Sequence, residues 1–103
     1  MIRLEPGELE IVRKILREAE LGCEVRVFGS RFHGRNLKPF SDLDLVLITH
    51  QPMDPLDLAR LQERFSQSDL PFKVDLVDWA AVSVEFRRVI ESGSGGLDIP
   101  SEG

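Results

Sequence analysis

One stretch, Val25–Ile48 (VRVFGSRFHGRNLKPFSDLDLVLI), constrains this chain more than any other. Val25, Val27 and Phe28 make a short β-prone run that halts at Gly29-Ser30, where glycine lets the backbone turn sharply and leaves room for a close neighbour. A basic loop follows, and Ser41–Ile48 (SDLDLVLI) then reads as a second strand. Side chains alternate across a strand, so Asp42 and Asp44 share one face, about 7 Å apart along it, while Leu43, Leu45 and Leu47 point into a core. Two acids at the mouth of an apolar strand repel by about 4 kcal/mol at 4 Å and an effective dielectric of 20. A cation or a shared proton must offset that repulsion. With only carboxylates at hand and no His or Cys beside them, the donor set favours a hard, oxygen-loving ion: Mg²⁺, with Mn²⁺ able to replace it. Asp-x-Asp alone is a short pattern, and such acids are often solvated turn residues. It gains weight from Gly29-Ser30 upstream and from a third acid downstream.

That third acid is Asp75, inside the apolar strand Phe72–Asp78 (FKVDLVD), where a lone charge is costly unless paired or metal-bound. Asp78, at the strand end, suits a structural, turn-holding role instead. Three carboxylates on adjacent strands can hold two Mg²⁺ ions about 3.5–4 Å apart, the clamp used for in-line displacement at phosphorus.

The remaining chain supplies helices. Leu9, Val12, Ile15, Leu16 and Ala19 recur at helical spacing and predict a helix over Pro6–Leu21. Leu58, Leu61 and Phe65 predict another over Leu56–Ser66, and Val82, Phe86, Val89 and Ile90 a last one over Val82–Ser92, capped by Ser83 or Asp78. The expected order is α-β-(short helix)-β-α-β-α, an α/β (α+β) domain over residues 1–92 with a small mixed three-stranded sheet flanked by helices. Residues 93–103, SGSGGLDIPSEG less its first serine, are rich in Gly and Ser and are expected to form a mobile tail.

Composition narrows the function. A chain of 103 residues holds one modest core. A formal charge of −5 argues against bulk nucleic-acid binding by surface charge. Arg31, His33, Arg35 and Lys38 lie beside the acids in sequence, a local bias that suits a phosphate ligand. A single cysteine, Cys23, precludes an internal disulfide and reads as an apolar filler in a reducing compartment. The start is charged, no segment approaches a membrane span, and a cytoplasmic location is expected. The Walker phosphate loop is absent, so ordinary ATPase chemistry has no support.

The segments FGSRFHGR, FSDLDLVLI and FKVDLVDW together resemble the nucleotidyltransferase fold of the polymerase-β superfamily, and more narrowly the minimal nucleotidyltransferases found beside a small helical HEPN-like partner. The likeness runs from Val25 to Ile90, with Phe32-His33 departing from the small or basic residues common there. It implies that Gly29 and Ser30 hold the β- and γ-phosphates of a nucleoside triphosphate, with Arg31 bracing them or serving as an ordinary salt-bridge residue. It implies further that Asp42 and Asp44 bind both metals and that Asp75 completes the site. The implied reaction moves AMP from ATP onto a hydroxyl of a partner protein, within an oligomer or heteromer. The competing expectation is a non-catalytic antitoxin or binding module that occludes a helical partner. Trp79, Phe32 and Phe40 remain open between nucleotide contact and structural anchoring.

Overall fold

The computed structural model describes residues 2–97. The first helix, α1 (Pro6–Ala19), starts where Pro6 presets the backbone and the Glu5 N–H donates to Glu8 Oε1 at 2.9 Å; it buries Val12, Ile15 and Leu16. Strand β1 (Glu24–Phe28) leads through Gly29 into a single-turn helix, α2 (Ser30–His33). Strand β2 (Leu43–Ile48) is followed by α3 (Pro55–Ser66), whose Asp54 cap accepts from Leu56 N–H at 2.8 Å. Strand β3 (Val74–Asp78), a 3-10 turn at Trp79–Ala81 and α4 (Val84–Ser92) come next, the last capped by Ser83. A short strand, β4 (Ser94–Gly96), closes the described chain.

The sheet runs β3-β2-β1-β4, with β2 and β3 parallel and the other pairs antiparallel. The mixed sheet with flanking helices is the expected class; the fourth strand is not. Residues 94–96, expected in a mobile tail, pair with β1, and Leu97 is buried in the core. The rest of that expectation, residues 98–103, lies outside the described residues. Arg26 holds β4 through Ser94, donating from Nε to the hydroxyl and from Nη2 to the carbonyl, each at 2.9 Å.

Strand alternation divides the sheet into two unequal faces. Leu43, Leu45, Leu47, Val25, Val27 and Val74 pack with α1 and α3 into the main core. On the other face Phe28 and Val46 pack with Ile90, flanked by Ile48, Val77, Trp79 and Phe86. Among the described residues, α4 and the 3-10 turn at Trp79 cover that second face. Val89, expected on its inner side, is 61% exposed, because burying Ile90 and Phe86 turns the neighbouring position outward.

Candidate active site

The second face ends in a row set by the pairing register. Phe28 of β1 lies opposite Asp44 of β2, and Asp44 lies opposite Asp75 of β3. The next row, Arg26, Val46 and Val77, reaches the apolar patch under α4. The two acids thus sit side by side on one face, at the end of the sheet where β1 turns into Gly29. Asp42 precedes the first residue of β2 and is exposed, so strand order begins one residue beyond it.

Gly29 adopts φ 72° and ψ −156°, a conformation open essentially to glycine. A Cβ there would collide with Oδ2 of Asp44, so the Asp44 carboxylate rests directly against the turn. Amides of Phe32 and His33 close back on the Gly29 carbonyl at 2.9 and 3.0 Å. Ser30 and Arg31 N–H, at the first positions of α2, have no carbonyl within the helix to bond.

Asp44 is pushed up to about 6, first by burial and then by the charges of Asp75 and Asp42. Burial and the two neighbouring carboxylates thus disfavour its ionisation, which is the electrostatic condition a bound cation relieves. Among the described residues, no three His, Cys, Asp or Glu side chains stand so that together they could hold a metal ion. Like charges on facing strands repel, and Lys73 Nζ, 3.3 Å from Asp75 Oδ1, supplies an opposite charge beside that carboxylate. An open rim of this kind fits Mg²⁺, which keeps several waters and takes one or two carboxylates plus substrate phosphates. Lys73 escaped the sequence reading, although its place two residues before Asp75 puts it on the same side of the chain.

Arg31 does not face the phosphate turn. It is 5% exposed, and its guanidinium donates to the carbonyls of Arg3, Pro39 and Ser41 while lying over the Phe72 ring. The structure therefore withdraws it from the expected triphosphate brace: every guanidinium nitrogen is already committed inside the protein. The exposed basic side chains next to Gly29 are His33 and Arg35, which border a groove of about 580 Å³ walled by Phe28, Phe32 and Val89. The Arg35 N–H donates to His33 Nδ1 at 2.9 Å.

The other expectations fall as follows. Asp78 is buried and structural, accepting from the Thr49 hydroxyl and, at 2.7 Å, from Met53 N–H; it ties the β2–α3 connection rather than capping a helix. Phe32 anchors against Gly93 and Gly95, Phe40 is 71% exposed, and Trp79 packs under Arg87 with the second cluster. Cys23 is half-buried, its thiol pushed up chiefly by burial. His50 is exposed. Among the described residues no helix is long and apolar enough to cross a membrane.

The mixed sheet thus presents a glycine-serine turn beside its strand-borne acids, the arrangement expected from the resemblance to nucleotidyltransferases. The nucleotidyltransferase domain model matches residues 9–94. A relative from Haemophilus influenzae, described as a probable protein adenylyltransferase MntA, is 49% identical over 87 residues, covering 84% of this chain and 75% of the relative. The chain belongs to the nucleotidyltransferase family, in its minimal branch, and is a nucleotidyltransferase.

Solved structures agree on the fold. A toxin–antitoxin structure with AMP-PNP superposes with a TM-score of 0.72 at 22% identity, over 89% of this chain and 73% of that one. A complex of a tri-AMPylated Shewanella oneidensis HEPN toxin with its MNT antitoxin gives a TM-score of 0.68 at 21% identity, over 94% and 74%. Spectinomycin adenyltransferase from Enterococcus is a more distant match, with a TM-score of 0.52 over 92% of this chain and 46% of that one. The family generally uses divalent metal ions.

Proposed function

We propose that this chain is a Mg²⁺-dependent adenylyltransferase that moves AMP from ATP onto a hydroxyl of a HEPN-like helical partner protein. The observation that carries the reading is the register pairing of Asp44 with Asp75 beside Gly29, together with the raised pKa of Asp44. The likeness to a protein adenylyltransferase at 49% identity supports the partner-protein acceptor.

In this reading Asp42, Asp44 and Asp75 hold two Mg²⁺ ions, for which Mn²⁺ can substitute. Bound there, the ions supply charge neutralisation for the attacking and leaving oxygens. Gly29 provides the close approach, and the amides at the start of α2 donate to the β- and γ-phosphates. The acceptor oxygen bonds to the α-phosphorus, the bond from that phosphorus to the α–β bridging oxygen breaks, and pyrophosphate leaves. Asp75, half-exposed at the sheet edge, takes the acceptor proton. Lys73 would release Asp75 at low cost, since an exposed ion pair is worth about 0–1 kcal/mol.

The test is to incubate the chain, its partner and α-labelled ATP with Mg²⁺. Label should pass to the partner and be lost with Asp42→Ala. Absence of transfer, or transfer indifferent to Asp42→Ala, overturns the reading.

A further inference from the structure

We infer that Arg31 is a positioning residue, fixing the peptide that leads into Asp42 relative to both the Gly29-Ser30 turn and the strand carrying Asp75. Arg31 directly follows Ser30 in α2. Its Nε and Nη2 donate to the Ser41 carbonyl at 3.1 and 2.8 Å, its Nη2 also to Pro39 O at 3.0 Å, and its Nη1 to Arg3 O at 3.1 Å. The Arg3 N–H returns a bond to Arg31 O at 2.7 Å, strapping the N-terminal segment over α2. Below the guanidinium lies Phe72, its ring centroid 4.2 Å from the guanidinium carbon, just ahead of β3 and Asp75.

The Ser41 carbonyl and the Asp42 nitrogen belong to one planar peptide unit. Two donors from one rigid fork on that oxygen therefore set the plane from which the Asp42 Cα departs. The same side chain grows from the phosphate turn and rests on the segment entering β3. One residue thus joins the three pieces of chain that bear the proposed ligands. A lysine keeps the charge but offers a compact ammonium without the fork or the flat stacking surface.

The inference rests on the proposed metal–nucleotide site, and the experiment separates the two. The melting-temperature rise caused by ATP is titrated with Mg²⁺ for the wild type, Arg31→Lys, Phe72→Leu and Asp44→Asn. Partners that orient a metal ligand typically cost about 10- to 100-fold in metal affinity when removed, so the half-saturating Mg²⁺ for Arg31→Lys should rise by about that factor. Transfer activity should then recover at saturating Mg²⁺, because every guanidinium nitrogen of Arg31 is bonded to a protein carbonyl.

Phe72→Leu, which removes the ring and spares every hydrogen bond, should shift the Mg²⁺ midpoint in the same direction; it decides the matter if Arg31→Lys does not fold. A lower melting temperature with an unmoved Mg²⁺ midpoint in the folded variants would mean a merely structural role and overturn the inference. A raised KM for ATP that excess Mg²⁺ does not relieve would also overturn it, pointing instead to direct bracing of the triphosphate. If the wild type itself gives no Mg²⁺–ATP response, matching Asp44→Asn, the site reading falls and takes this inference with it.

Discussion

Replacing Asp44 by Asn should make the metal-free protein more stable at neutral pH while destroying its activity. Burial and the charges of Asp75 and Asp42 raise this carboxyl from 3.8 to about 6. Below pH 3.8 the folded and unfolded chains both hold the proton, and the site contributes nothing to the pH dependence. Between 3.8 and about 6 the folded chain keeps a proton that the unfolded chain has lost, so stability falls as pH rises. Above that window the penalty is fully present. At about 1.4 kcal/mol per pKa unit the ceiling is about 3 kcal/mol. Asp44 is only half-buried, and solvent screening reduces the figure to about 1–2 kcal/mol. Asparagine keeps the shape and mimics the protonated acid, so it removes the penalty. At about 4–8 °C per kcal/mol for a domain of this size, the melting temperature should rise by about 4–16 °C at pH 7.5 in EDTA. The gain should vanish near pH 3.5. Thermal melts followed by circular dichroism across that pH range give the measurement. A lower melting temperature for Asp44→Asn at pH 7.5, or the same increment at both ends of the range, would refute the electrostatic reasoning.

Other substitutions probe the turn, the partner and the new strand. Gly29→Ala forces a Cβ into the Asp44 carboxylate at positive φ; it should cost about 1–3 kcal/mol in denaturant unfolding and abolish label transfer, and a stable, active variant would contradict the close packing. The double variant Asp44→Asn/Asp75→Asn separates catalysis from occlusion: loss of both label transfer and neutralisation of the partner is expected, whereas retained neutralisation would favour a binding module. Leu97→Ala should cost about 2–5 kcal/mol by opening the main core beneath the sheet edge, and a neutral result in urea unfolding would return this segment to the status of a tail.

The helices and three of the strands were legible because periodicity, caps and breakers agree. Leu61 and Phe65 sit where the apolar stripe of α3 requires, Ser83 marks a start that the backbone obeys, and α3 begins at Pro55, one residue before the expected Leu56. β4 was not legible. Ser94-Gly95-Gly96 has none of the branched or aromatic residues that advertise a strand. Its pairing depends on a long-range fact: Phe32 lies so close that a Cβ at Gly95 would stand 2.9 Å from the ring, and Arg26 adds two side-chain hydrogen bonds to Ser94 beside the backbone pairing with β1. The burial of Arg31 was not legible for the same kind of reason. In sequence it is one more cation beside a phosphate-type turn; only folding brings Phe72 beneath it and the carbonyls of Ser41 and Pro39 around it. The row of Asp44 and Asp75, by contrast, follows from alternation within each strand plus one register, and alternation is visible in the sequence.

The placement of the acids and the stability of the core are consequences of the same register. Leu43, Leu45 and Leu47 are all fully buried, so slipping β2 by one residue would carry the leucines to the α4 face and drive Asp44 into the main core. The apolar run therefore locks the direction in which the carboxylates point. Along the same face, the row of Val46 and Val77 falls beneath Ile90 and Phe86, while Asp44 and Asp75 occupy the row before it. Asp44 consequently has an apolar shell on one side, repelling acids on the other and the bare backbone of Gly29 against its oxygen. Each contact costs the isolated fold something, and each lowers the cost of admitting a cation and a phosphate together. A sheet with more complete cover on this face would be more stable and would have no place for either.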